Sequence, residues 1–153
     1  MPDCYSQISM QLVFAVKYRE ALIQPYFRDR LIHYIIGIIK GQNQQPLAVN
    51  AVSDHIHIFF GMDPTIYIPD FVRDLKSDSS VWINKNKLSP KTFHWQTGYG
   101  IFSYTRRDRP MIIRYVENQE EHHHETTFRK EYLKMLHDNE IIYNPDYLFE
   151  FFE

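Results

Sequence analysis

From Gln7 to Val16 the apolar residues Ile8, Met10, Leu12, Phe14 and Val16 alternate with Gln7, Ser9 and Gln11, a period of two that predicts a half-buried strand. Phe27, Leu31, Tyr34, Ile35 and Ile38 then recur at helical spacing, with Pro25 suited to a first turn and Gly41 to a stop. Leu47 to Val52 alternates again. After the turn-like pair Ser53-Asp54 comes His55-Ile56-His57-Ile58-Phe59-Phe60, so two strands in a hairpin fit this stretch. Asp63-Pro64 breaks it, and Phe71, Val72, Leu75, Trp82 and Ile83 mark a second amphipathic helix with Pro69 and Asp70 near its start. Residues 86–98 read as a loop and Tyr99 to Tyr104 as a fourth strand. Asp108 and Pro110 supply an N-cap and an early-turn proline for a helix from Pro110 to His123.

The order β-α-β-β-α-β-α predicts an α+β protein. It is the ferredoxin-like split βαβ sandwich, an antiparallel sheet with helices on one face, plus an additional helix bearing Tyr115. A C-terminal helical tail follows Thr127, holding Phe128, Tyr132, Leu133 and Leu136. The closing run Tyr147-Leu148-Phe149-Glu150-Phe151-Phe152 must bury its aromatics on this domain or on a partner chain.

A length of 153 residues makes residues 1–153 one domain, its core near 5–125 and its tail near 126–153. The 24 aromatic side chains (11 Phe, 11 Tyr and 2 Trp) are ample for a core. Cys4 is the single cysteine and cannot form an internal disulfide, and there is neither a leader-like stretch nor an apolar run of about 18 residues. A cytoplasmic protein with no membrane association is expected. The net charge of −2 conceals an asymmetry: residues 1–116 carry 14 Lys/Arg against 9 Asp/Glu, residues 117–153 carry 3 against 10.

His55 and His57, two apart on a strand, project from the same face while Ile56, Ile58 and Phe60 point to the other. They form half of a metal site or simply occupy a polar sheet face. Tyr115 and Gln119, at i and i+4, share a helix face. Tyr115 either packs beside Ile112 and Val116 or serves as a covalent nucleophile. A Gln oxygen beside two imidazoles suits Mg²⁺ or Mn²⁺. His122-His123-His124 cannot all converge on one ion and read as solvated helix-end residues, outside the core site. Asp54 precedes the histidine pair, where a turn role fits better than an orienting one. Cations interleaved with aromatics occur at Lys85, Lys87, Lys91, Phe93, His94, Trp95 and Tyr99, and again at Tyr104, Arg106, Arg107 and Arg109. These are single-strand-binding ingredients, unless Trp95 is buried among ordinary surface cations.

Five segments in order resemble one family. They are Ser6-Gln7-Ile8 through Leu12-Val13-Phe14-Ala15-Val16-Lys17; Asp54-His55-Ile56-His57; Phe71-Val72-Arg73-Asp74-Leu75-Lys76 with Ser79-Ser80 and Trp82-Ile83-Asn84; Trp95-Gln96-Thr97-Gly98-Tyr99-Gly100; and Tyr115 through His123. The sequence resembles the single-tyrosine HUH transposases of the IS two-hundred-type insertion sequences, related to the REP-associated tyrosine transposases. The resemblance implies that His55, His57 and Gln119 bind a divalent metal, Mg²⁺ or Mn²⁺, and that Tyr115 is the nucleophile. It implies cleavage and rejoining of single-stranded DNA with subterminal hairpins through a 5′-phosphotyrosine, in a homodimer whose active sites are shared between subunits. Arg73, Lys76, Lys85, Lys87, Trp95, Arg106 and Arg107 become candidate DNA contacts.

The rival from another class is a non-catalytic ferredoxin-like module that binds single-stranded or hairpin nucleic acid, motivated by the basic aromatic loops. A water-using phosphodiesterase would need paired H-x-T/S motifs, which the sequence lacks.

Overall fold

The computed structural model describes residues 4–148. Its strands are β1 (Ser9–Ala15), β2 (Gln45–Ala51), β3 (His55–Gly61) and β4 (Gly100–Tyr104). Its helices are α1 (Pro25–Gly41), α2 (Ile68–Lys85), α3 (Arg109–Glu117), α4 (Gln119–Glu125) and α5 (Phe128–Asp138). The sheet order is β2-β3-β1-β4 with every neighbouring pair antiparallel, the arrangement of two interleaved βαβ units. The expected ferredoxin-like α+β architecture is the observed one.

Both faces of the sheet are covered. Leu12, Phe14, Ile56, Ile58 and Phe60 lie in the main core with α1 residues Phe27, Leu31, Ile35 and Ile39 and α2 residues Phe71, Leu75 and Ile83. The i, i+4 spacing of the α1 set supplies a single apolar stripe. On the opposite face, Phe59 packs with Ala48 and the α3 residues Ile112 and Val116, and α5 adds Phe128, Tyr132, Met135 and Leu136. The added helices thus lie across the sheet from α1 and α2. The strand face carrying His55 and His57, which alternation marks as polar, is therefore sealed from solvent.

Gly100 allows this second layer to dock. A Cβ there would lie 2.8 Å from the Tyr132 hydroxyl and 2.9 Å from its ring, closer than van der Waals contact allows.

The helix expected from Pro110 to His123 is two helices. Asn118, with φ −96° and ψ 21°, ends α3 and precedes α4. The side-chain amide of Asn50 on β2 donates to the carbonyls of Val116 (3.0 Å) and Glu117 (3.1 Å). A continuing helix would use those carbonyls internally, so capture by the sheet is what divides it. Beyond α5 the chain makes one 3₁₀ turn, Pro145–Tyr147, where Tyr147 is exposed and Leu148 touches the core. Phe149, Phe151 and Phe152 of the expected aromatic run lie outside the described residues. Among the described residues no helix is long and apolar enough to cross a membrane.

Candidate metal and nucleophile site

β3 holds both imidazoles rigidly. His55 and His57 are 0% and 1% exposed and pair in register with Ala15 and Val13 of β1. The Nδ1–H of His55 donates to Asp54 Oδ1 at 2.7 Å. His57 Nδ1–H donates to Gln11 Oε1, also at 2.7 Å, and the Gln11 amide nitrogen donates onward to the Tyr104 hydroxyl at 3.2 Å. Gln11 is a diagonal cross-strand neighbour of His57 on the same face, which brings it into reach. With each Nδ1 engaged by an acceptor, each Nε2 is the nitrogen left to serve as a ligand.

Both Nε2 atoms face Glu131, which α5 lowers onto the sheet. Glu131 Oε1 stands 3.1 Å from His57 Nε2 and 3.5 Å from His55 Nε2. Oε2 accepts a hydrogen bond from the Tyr115 hydroxyl and lies 3.2 Å from His122 Nε2. Phe128, one turn earlier on α5, stacks on the His55 ring with centroids 3.9 Å apart. One ligand atom from each of His55, His57 and Glu131 lies within 4.8 Å of the others, and all three residues are buried. Two imidazole nitrogens and a hard carboxylate oxygen are a donor set that a divalent first-row cation or Mg²⁺ takes, so the residues fit the expected metal.

The electrostatics follow from this crowding. Burial alone would push the His55 pKa down, but the hydrogen bonds and negative charges of Asp54 and Glu131 outweigh it and hold the imidazole above its usual 6.5. Burial, reinforced by the neighbouring Glu131 charge, drives the Tyr115 hydroxyl far above the ordinary phenol value, with partial relief from a hydrogen bond of Gln119. Gln119 is fully buried and also donates to the Tyr115 backbone carbonyl at 3.2 Å.

His55, His57, Tyr115 and Gln119, separated by up to 64 positions in sequence, thus lie in one region of a single chain. Tyr115 stands over the histidine pair of its own subunit, ring centroid 5.8 Å from that of His57. Two expectations are corrected. Asp54 orients His55, because it lies in the turn before β3 and strand alternation does not govern its side chain. His122 joins the site through Glu131, which α5 brings within 3.2 Å of its Nε2. The side chains of His123 and His124 lie outside the described residues. Glu131 escaped the sequence reading altogether, although a signal existed. It falls on the stripe formed by Phe128, Tyr132 and Met135, where a charge is out of place unless it has a partner.

Of the candidate DNA contacts, Arg73, Lys76 and Trp95 line one groove, and Lys85, Lys87, Arg106 and Arg107 lie outside it. Arg73 is engaged with Asp70 and Asp74, and Lys85, Lys87, Arg106 and Arg107 are exposed. Lys76 donates to the carbonyls of Gln96 (2.8 Å) and Gly98 (2.7 Å), and burial lowers its pKa to about 8. Trp95 requires a correction. It is 9% exposed, its Nε1–H donates to Ser79 Oγ, and it meets Phe14 and Phe93 edge-on, so most of its ring belongs to the core and only its remaining edge lines the groove with Arg73 and Lys76.

Comparison with known proteins decides the family. The family model described as "Transposase IS200 like" matches residues 4–119, about three quarters of the chain. The chain belongs to the IS200-like transposase family. The ISDra2 transposase TnpA of Deinococcus radiodurans is 26% identical to this transposase over 118 residues, covering 74% of this chain and 84% of the relative. Two solved structures share the fold. A crystal structure from Deinococcus radiodurans R1, described as that of a transposase, superposes with TM-score 0.62 at 24% identity, over 78% of this chain and 95% of the other. A REP-associated tyrosine transposase bound to a REP hairpin superposes with TM-score 0.60 at 13% identity, over 80% and 73%. Glu131 lies beyond the segment that the family model matches.

Proposed function

We propose that this transposase cleaves single-stranded DNA at the ends of an insertion sequence and rejoins it through a 5′-phosphotyrosine on Tyr115. The observation that carries the reading is the meeting of the Tyr115 hydroxyl, Glu131 and both histidine Nε2 atoms in one buried cluster. His55, His57 and Glu131 would hold a divalent cation, Mg²⁺ or Mn²⁺, with Gln119 as the further donor that the family resemblance calls for. When bound, the ion supplies Lewis-acid polarisation of the phosphodiester.

The chain's own groups do the rest. Glu131 Oε2 accepts the hydrogen bond of the phenol and is the atom placed to hold its proton. As the Tyr115 oxygen bonds to phosphorus, the bond to the 3′-oxygen breaks and that oxygen takes up a proton. Rejoining reverses the exchange, a 3′-hydroxyl attacking phosphorus while Tyr115 leaves and recovers its proton. No external energy source is required, because one phosphoester replaces another.

Hairpin recognition beside the cleavage point is part of this reading, and the fold shared with a transposase bound to a REP hairpin supports it. So are a cytoplasmic location and a homodimer. Incubation with Mg²⁺ or Mn²⁺ and single-stranded element ends is expected to yield a covalent protein–DNA adduct that Tyr115→Phe abolishes. An undiminished adduct in that variant defeats the assignment. Mixing Tyr115→Phe with His57→Ala subunits tells where each tyrosine works: restored cleavage means sites shared between subunits, and none means each tyrosine serves its own chain.

A further inference from the structure

A groove of about 430 Å³ between α3 and α5 opens beside Tyr115. Met111, Ile112 and Tyr115 line it from α3, and Lys130, Glu131, Lys134, Met135 and Asp138 from α5, so that it opens onto the carboxylate of the metal site. Tyr104 also lines the groove. Its ring stands edge-on to Phe59, with centroids 6.1 Å apart at 80°, and its hydroxyl is tethered by Gln11. This aromatic wall is therefore fixed before any ligand arrives. Met111 is 55% exposed, an apolar side chain left at the mouth.

These features match a flat heteroaromatic ligand carried on a polyanion. Thioethers and a fixed ring pack against a π face, and polar side chains at a rim meet its hydrogen-bonding edge. Lys130 and Lys134, one turn apart, put cations along the α5 rim, Lys134 being paired with Asp138 at 2.6 Å. The volume lies in the range of about 300–1,000 Å³ typical of small-ligand pockets. The groove is also continuous with the nucleophile. A strand that presents a phosphodiester to Tyr115 must lay an adjoining nucleotide over it.

We propose that the α3–α5 groove binds the unpaired nucleobase next to the scissile phosphodiester, so that this base helps to select the cleavage position. The proposal rests on the DNA-cleaving function argued above and adds a recognition site to it.

The test is a titration of the full-length, metal-free protein, labelled at its methionine methyls with ¹³C, in EDTA. The probes are the four homopolymeric trideoxynucleotides and a trinucleotide backbone lacking bases. Met111 and Met135 report on the groove, while Met10 and Met62 serve as internal controls. Saturable ring-current shifts of the Met111 and Met135 methyls with at least one trinucleotide are expected, the controls staying in place. The baseless strand is expected to leave all four unmoved, and Met111→Trp, which fills the mouth, to remove the Met135 shift. Groove methyls unmoved by all four trinucleotides, or moved equally by the baseless strand, overturn the proposal. Neither cleavage nor a metal enters this measurement. Covalent adduct formation with unmoved methyls therefore rejects the groove alone, and saturable shifts without any adduct reject the reaction alone.

Discussion

Glu131→Gln keeps the shape of the side chain and removes the charge that joins the two halves of the site. Glu131 Oε1 faces the histidine nitrogens at 3.1 and 3.5 Å, and Oε2 serves Tyr115 and His122. Loss of even an outer partner of a metal ligand costs about 10- to 100-fold in metal affinity. Loss of the one carboxylate in the His55, His57 and Glu131 set should therefore weaken Mn²⁺ binding by about 100-fold or more, equivalent to about 3 kcal/mol at ~1.4 kcal/mol per tenfold. Calorimetric titration with Mn²⁺ measures this directly. Far-UV circular dichroism establishes that the variant is folded, since exchanging a charge-assisted hydrogen bond for a neutral one costs about 1–2 kcal/mol of stability. A second readout is the phenol. The Glu131 charge is among the causes that hold the Tyr115 hydroxyl up, so its ultraviolet titration should move towards lower pH in the variant. A folded Glu131→Gln protein that binds Mn²⁺ within about threefold of wild type, while His57→Ala does not bind it, would refute Glu131 as a ligand and sever the link between ion and nucleophile.

Three further outcomes are expected. Gln11→Leu removes the acceptor that holds His57 in its Nδ1–H tautomer, and should weaken Mn²⁺ binding by about 10- to 100-fold without loss of the fold, measured by the same calorimetry. Gly100→Ala drives a methyl into Tyr132 and should destabilise the protein by about 1–3 kcal/mol, read from urea unfolding midpoints; because Tyr132 adjoins Glu131 on α5, its Mn²⁺ affinity should fall as well. Lys76, lowered by burial from 10.5 to about 8, binds fewer protons folded than unfolded between those values. Stability relative to Lys76→Met should therefore rise as the pH climbs from about 8 to 10, and a flat difference across that window would contradict the shift.

Much of the scaffold was legible because its signals are local. The alternation in β1 and β3, the i, i+4 stripe of α1 and the turn residues between elements each constrain a few neighbouring residues, and together they predict the βαββαβ order that the structure adopts. The pairing of His55 with His57 was legible for the same reason, since a strand places alternate residues on one face whatever surrounds it. The break at Asn118 was not legible. It depends on Asn50, on a strand 66 residues from Val116, reaching the helix carbonyls.

The chain sequence alone determined that two imidazoles share a strand face and that Tyr115 and Gln119 share a helix face, because backbone geometry sets both periods. Only the tertiary structure decided that these faces meet, that α5 closes over them, and that Glu131 rather than solvent faces the Nε2 atoms. It likewise placed the ring of Trp95 in the core and turned Asp54 and Gln11 towards the histidines. The physical reason is one of range. Hydrogen-bonded periodicity is written within a few consecutive residues, whereas burial, charge pairing and ligand convergence depend on which distant segments the packed sheet brings into contact.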